Sequence, residues 1–261
     1  MSEDGSADLY TALAPIYDDW QSSDGMTPFA LVTFAKLIPL LEREAASPTR
    51  SRRPFSFLEI GCGTGTLLGA LRAERPTWRL AGADASAAML GVAARKPGAR
   101  TLTLALARLE QPLPFIRGFD AAGVFYDTLN HLADPPALAR ALASLSAVLR
   151  PGGLLVFDVT NRLGFERWWR GRNEFSGRRW RVVVEARFDA ACHLGRAEVT
   201  IAAEERVRSF QLVERYLSDE DVRRALGAAG FTVERAEGWA PFANDVAGKT
   251  WWVARFLPSR K

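Results

Sequence analysis

The chain has 261 residues, of which 48% are hydrophobic and 25% charged, with a formal net charge of +4. That length and apolar content suit one α/β domain with an insertion, and no run of about 18 apolar residues suggests a membrane span. Only four of the 34 basic residues are lysine, and the arginines are interspersed with glutamates, so the surplus reads as arginine usage more than as a phosphate-binding face.

In chain order, Leu9, Leu13, Ile16, Tyr17 and Trp20 recur at helical spacing and predict a short amphipathic helix bent at Pro15. The opening is polar and acidic and predicts no secretory signal. A second helix is expected from Pro28, with Thr27 as its cap. The polar linker "AASPTRSRRP" then leads to the strand "FSFLEI" and the glycine-rich run "GCGTG". Apolar strands and helices alternate from there to "LLVFDVT", the pattern of a parallel sheet covered on both faces. After Asn161 three strands without an intervening helix are expected, an antiparallel meander inserted into the fold. The α/β rhythm returns with "DEDVRRALGAAGF", "TVERAEGW" and "TWWVARFL". The predicted fold is a doubly wound, mostly parallel seven-stranded sheet. Residues 1–54 would form a helical lid, 55–160 a ligand-binding core, 161–217 the β insertion, and 218–261 the closing helix and strands.

A strand running into "GCGTG" and then a helix gathers backbone N–H groups and a helix N-terminus at one point. Dinucleotides and S-adenosylmethionine both use that device. The dinucleotide pattern G-x-G-x-x-G requires glycine where Thr66 stands. Glu59, two residues before the first glycine, would repel a pyrophosphate and attract the ammonium of a methionine moiety.

With "EIGCGTG", "GADAS" and "LRPGGLLVFD", the sequence resembles the class I S-adenosylmethionine-dependent methyltransferases over about residues 55–160. The resemblance implies that Gly61, Cys62, Gly63 and Gly65 form the loop against the cofactor, S-adenosyl-L-methionine, with Glu59 beneath it near the methionyl ammonium. Asp84 takes the position that binds the ribose hydroxyls, or else caps the next helix. Ala85 and Met89 would flank the adenine, Met89 being equally suited to the core. No acid stands where many relatives bind the adenine amino group. Arg108 and Leu109 lie there, with Glu110 nearby and Phe125 at the end of the fourth strand. Tyr17, in a "YD" pair, belongs to a segment that in relatives folds over the cofactor, or to a helix docked on the core.

"FYDTLNHL" ends the fourth strand, where this family places its reaction centre, and is similar to a subgroup that includes sugar-amine N-methyltransferases. Tyr126, Asn130 and His131 are the candidate substrate residues. His131 is the candidate general base, or a loop histidine satisfied by the backbone. "ADPPALAR" reads as Asp134 capping a helix that opens with proline. Trp168 and Trp169, in the run "RWWRGRNEFSGRRWR", would wall the acceptor pocket, or serve a nucleic acid.

The expected activity is therefore in-line methyl transfer to a small-molecule amine, carboxylate or hydroxyl, with N-methylation favoured. The alternatives are an RNA or protein methyltransferase, or a non-catalytic S-adenosylmethionine-binding protein. The expected partner is a small molecule, not a membrane; nucleic acid is disfavoured and a homodimer is left open. Cys62 and Cys192 lie far apart and outside any metal-type cluster, which fits a reducing interior and predicts a cytoplasmic protein without a metal.

Overall fold

The computed structural model describes residues 5–23, 27–48, 53–203, 206–241 and 246–257. Its main sheet contains β1 (Ser56–Ile60), β2 (Arg79–Asp84), β3 (Thr103–Leu106), β4 (Phe119–Val124), β5 (Leu149–Thr160), β10 (Phe231–Trp239) and β11 (Lys249–Phe256). The strand order is β10-β11-β5-β4-β1-β2-β3. β1 to β5 pair in parallel, and β11 runs antiparallel to both β5 and β10. The expected seven-stranded doubly wound sheet is present. Chain order reverses between β1 and β4, so a crevice opens at their carboxyl ends.

β1 and β4 are buried along their whole length, as central parallel strands must be. Neighbouring side chains go to opposite faces. Phe57 joins a cluster with Leu37 and Leu41 of α3 (Phe29–Ala45) and Leu67 and Leu71 of α4 (Thr66–Glu74). Leu58 joins Leu138 and Leu142 of α6 (Pro135–Val148) and Val222 and Leu226 of α8 (Asp219–Ala228). The adjacent Trp251 and Trp252 of β11 divide between the same two clusters. A period of two accounts for both pairs, and burying each such side chain stabilises the fold by about 1.5–3 kcal/mol.

The termini of the helices follow local chemistry. Asp134 accepts from the Ala137 N–H at 2.7 Å and Pro135 opens α6, as expected. Ser218 caps α8, whose first turn carries Asp219, Glu220 and Asp221. Thr27 does not cap α3: Pro28 occupies the cap position without a side-chain bond, and the helix begins at Phe29. The first segment is also two helices, α1 (Gly5–Leu13) and α2 (Tyr17–Gln21), separated by a turn at 14–16. Pro15 lacks the N–H needed to continue a helix.

The insertion departs from the expected three strands. A helix, α7 (Arg162–Trp168), comes first, capped by Asn161, which accepts from the Gly164 N–H. An antiparallel sheet of four strands follows: β6 (Arg170–Ser176), β7 (Trp180–Asp189), β8 (Leu194–Ala203) and β9 (Arg206–Arg215). β6 is a largely exposed edge strand, so no apolar alternation announces it. The inner face of this sheet, with Val182, Val199 and Ile201, packs on Leu9 and Leu13 of α1 and Met89 of α5 (Ala87–Ala93) in a third apolar cluster. Among the described residues no helix is long and apolar enough to cross a membrane.

Candidate active site

β1 ends in a loop whose glycines Gly61, Gly63 and Gly65 all have positive φ, at 72°, 52° and 73°. The Gly61 and Cys62 N–H groups donate to the Ala83 carbonyl at 2.8 and 3.0 Å, tying the loop to β2. Asp84, at the end of β2, accepts from the Gly63 N–H through one carboxylate oxygen and from the Ser86 N–H through the other, both at 2.8 Å. The cap of α5 is Ser86, so Asp84 is free of that duty. Burial raises the Asp84 pKa, and the N–H groups of Ser86, Gly63 and Ala85 offset part of the rise.

Glu59 lies beneath this loop and is 5% exposed. Its Oε2 is buried with no hydrogen-bond partner. Burial, and secondarily the Asp84 charge, push its carboxyl well above the ordinary range. A buried acid with a bare oxygen costs free energy until a donor arrives, and a cationic donor would compensate it best. Burial likewise pushes up the Cys62 thiol, which makes it a packing group and not a nucleophile.

The loop forms one wall of a cleft of about 1070 Å³. Glu59, Gly61, Cys62, Gly63, Asp84 and Ala85 line its floor. Met89, Arg108, Leu109, Glu110, Phe125, Tyr17, Tyr126 and His131 also line it. Gly65 stands outside the lining and serves as the left-handed N-cap of α4. The volume reaches the top of the ~300–1,000 Å³ range of single-ligand sites, enough for a cofactor and a second molecule.

In the turn after β4, Tyr126 and Asp127 have positive φ of 58° and 62°. For residues with a Cβ this conformation costs on the order of 1–3 kcal/mol each, and such strain concentrates at functional sites. The Tyr126 N–H donates to Asp158 at 3.0 Å, and the Lys249 ammonium donates to Asp127 at 2.6 Å and Asp158 at 2.7 Å. Burial opposes ionisation of Asp127, but Lys249 outweighs it and holds that carboxyl below the usual range. Burial and the Asp127 charge leave Asp158 raised.

His131 Nε2 lies 2.9 Å from the Tyr10 hydroxyl and 3.6 Å from Glu214 of β9, and its Nδ1 is buried without a partner. Burial lowers its pKa despite the nearby Asp127 charge, so the imidazole is neutral at pH 7. Burial raises the pKa values of both Tyr10 and Glu214.

Asn130 is placed differently from the expectation. It is fully buried and outside the cleft lining; its amide donates to the Arg215 carbonyl at 2.8 Å and its oxygen accepts from the Thr160 N–H at 2.9 Å. It braces the turn after β4 against β5 and β9. Trp168 and Trp169 also lie outside the lining. Trp168 packs so closely that a Cβ on Gly248 would fall 2.5 Å from it, and Trp169 covers Gly195 in the same way. Two arginines of this run form exposed ion pairs, Arg172 with Glu185 and Arg181 with Glu174, each at 2.6 Å.

The cleft is roofed by α1 and α2. Asp18 accepts from the Thr64 hydroxyl at 2.6 Å and pairs with Lys96 at 2.7 Å, fastening α2 to the glycine loop. Gln21 donates to the Tyr126 hydroxyl at 2.8 Å, and Trp180 of β7 donates to Asp19 at 2.5 Å. Gln21, Lys96, Asp158, Glu214 and Lys249 escaped the sequence reading, because each meets its partner across long stretches of chain. Lysine scarcity in an arginine-rich chain was a signal that could have drawn attention to Lys96 and Lys249.

Comparison with known proteins agrees with this geometry. A demethylmenaquinone methyltransferase of Thermus thermophilus is 35% identical over 116 residues, which cover 44% of this chain and 51% of that one. The chain spans between 29% and 55% of the length of the first curated relatives it matches. Among solved structures, an S-adenosylmethionine-dependent methyltransferase from Clostridium acetobutylicum superposes with a TM-score of 0.75 at 18% identity, covering 96% of this chain and 100% of that one. The sugar N-methyltransferase KedS8 of Streptoalloteichus gives a TM-score of 0.67 at 24% identity, covering 93% of each chain. Both likenesses show the fold. The model of the methyltransferase domain family matches residues 32–236, well over half of the sequence. The chain belongs to the methyltransferase domain family.

Proposed function

We propose that this protein transfers a methyl group from S-adenosylmethionine to a small-molecule acceptor, with an amine as the favoured class. The observation that carries the reading is the bare Glu59 Oε2 beneath a glycine loop that Asp84 braces. An ammonium would satisfy that oxygen, whereas a pyrophosphate would meet the buried Glu59 and the half-buried Asp84. When bound, S-adenosylmethionine supplies an electrophilic methyl on a sulfonium, open to in-line displacement. Glu59 would hold its ammonium and Asp84 its ribose. Leu109 and Met89 offer apolar flanks to the adenine, and both are buried.

The chain's own residues orient the acceptor and keep water out. Tyr10, Tyr17 and Tyr126 are held un-ionised, burial pushing Tyr126 up to about 12. They give the acceptor end a neutral, half-apolar lining. Alignment in a dry site supplies much of the acceleration of such a displacement. An amine of pKa ~10 is neutral in about one molecule per thousand at pH 7, a cost of about 4 kcal/mol. Neutral His131, paired with Tyr10, would accept the surplus proton in this reading.

The roof of α1 and α2 supports a small acceptor over RNA or protein. The inward packing of Trp168 and Trp169 weighs against a nucleic-acid platform, which needs exposed aromatic faces. Both cysteines are free, in keeping with a cytoplasmic setting. The test is calorimetry with S-adenosylhomocysteine against NADH, followed by labelled S-adenosylmethionine with a panel of amines, carboxylates and hydroxyls. Uptake of NADH alone would end the proposal. Uptake of S-adenosylhomocysteine with no acceptor methylated would favour a binding protein.

A further inference from the structure

Three parts of the sheet converge on one ammonium. Lys249, the first residue of β11, is 2% exposed and lies in register with Thr160 of β5. Its Nζ reaches Asp127 at 2.6 Å, Asp158 at 2.7 Å and Thr160 Oγ1 at 3.4 Å. An ammonium has three donors and no acceptor, and here three oxygens from two elements stand around it. The Phe29 ring lies 5.1 Å from the same nitrogen.

What this ammonium holds is the left-handed pair Tyr126–Asp127. The Tyr126 N–H is bonded to Asp158, and the Asp127 side chain is bonded to Lys249 and to the Thr160 hydroxyl. The Asp127 carbonyl in turn accepts from the Asn130 N–H at 2.7 Å and the His131 N–H at 3.3 Å, starting the turn that carries the imidazole. Tyr126 and His131 both line the cleft, whereas Lys249 does not. Without the ammonium, the buried Asp158 and half-buried Asp127 carboxylates would face each other and the elbow would lose its reason to stay at positive φ.

We propose that Lys249 is a positioning residue for the transfer step: through Asp127 and Asp158 it locks the elbow that aims Tyr126 and His131 at the acceptor. This rests on the methyl-transfer reading for its chemistry, but the elbow itself can be measured without an acceptor.

The experiment compares wild type with Lys249→Met, and with Asp127→Asn should the first variant fail to fold. Hydrogen exchange of the full chain, read by mass spectrometry, should quicken at least tenfold over residues 126–131 while α4 keeps its wild-type rate. The Kd for S-adenosylhomocysteine should stay within twofold, since Glu59 and Asp84 do not touch Lys249. With the amine that the acceptor panel yields, kcat should fall at least tenfold while the KM for S-adenosylmethionine stays within twofold. Unchanged exchange at 126–131, wild-type kcat, or equal losses in kcat and S-adenosylhomocysteine affinity would each overturn the proposal. If wild type ignores S-adenosylhomocysteine, the methyl-transfer reading fails, and the exchange result still decides whether Lys249 locks the elbow.

Discussion

Gly61 and Thr128 meet with no space between them: a Cβ on Gly61 would lie 2.3 Å from Thr128 Oγ1 and 2.9 Å from its Cγ2. The Thr128 hydroxyl cannot easily turn aside, because it donates to the Phe125 carbonyl at 2.8 Å. The loop after β1 and the turn after β4 are therefore in direct contact.

Gly61→Ala should destabilise the protein by about 2–4 kcal/mol, combining the strain of positive φ with overpacking. Adding Thr128→Ala should recover the overpacking share and leave about 1–2 kcal/mol of backbone strain. Urea denaturation of the two variants measures this. Equal stability of the single and double variants would show that the contact is softer than the geometry implies.

Gly63 behaves in the opposite way. Its φ is +52°, yet a Cβ there meets nothing within 4 Å, although the residue lines the cleft. Gly63→Ala should cost about 1–2 kcal/mol of stability. It should weaken S-adenosylhomocysteine at least tenfold by calorimetry, the added methyl occupying ligand space. Wild-type affinity would place the ligand elsewhere.

Glu59→Gln should raise the melting temperature of the ligand-free protein at pH 7 while weakening S-adenosylhomocysteine at least tenfold. The folded-state pKa of Glu59 is raised by burial and by Asp84. Its contribution to stability is therefore full below the unfolded value of about 4.3 and is lost as pH rises through the folded one. Neutral glutamine removes that loss. Ligand binding to wild type should also release a proton near the raised pKa, seen as a binding heat that varies with the buffer's ionisation enthalpy. A buffer-independent heat would mean that Glu59 does not receive the ammonium.

His131→Ala should reduce turnover about 10²-fold, the scale of a positioned proton acceptor, with the Kd for S-adenosylhomocysteine within twofold. The folded pKa of His131 lies below the ordinary value of 6.5. The wild-type rate should thus show no loss from this group above pH 6.5 and should decline only at lower pH. Full activity in the alanine variant would remove the imidazole from the mechanism.

The fold was legible because its signals are local. Alternating apolar runs marked the strands, Asp134 followed by proline marked α6, and "EIGCGTG" marked the ligand loop. Of the cleft lining, Glu59, Asp84 and His131 were legible because each stands in a short stretch that singles it out. Asn130 misled because an amide beside a histidine reads as a ligand group, whereas its bonds run to Thr160 and Arg215. Trp168 and Trp169 misled because an arginine-tryptophan run does not reveal which face each ring takes. Lys249 lies 122 residues from Asp127, so no window of sequence unites them.

Leu9 and Leu13 share an apolar cluster with Val182, Val199 and Ile201, and Met89 of α5 closes it on the side of the central sheet. For protein engineering this couples the N-terminal helices and the β6–β9 sheet as pieces to be exchanged together, with seams at Met89 and at the Asp18–Lys96 pair. A chimaera importing a foreign sheet alone would split that cluster, whereas one importing both pieces would keep it whole apart from its α5 side and leave Tyr126 and His131, which lie outside both pieces, unchanged.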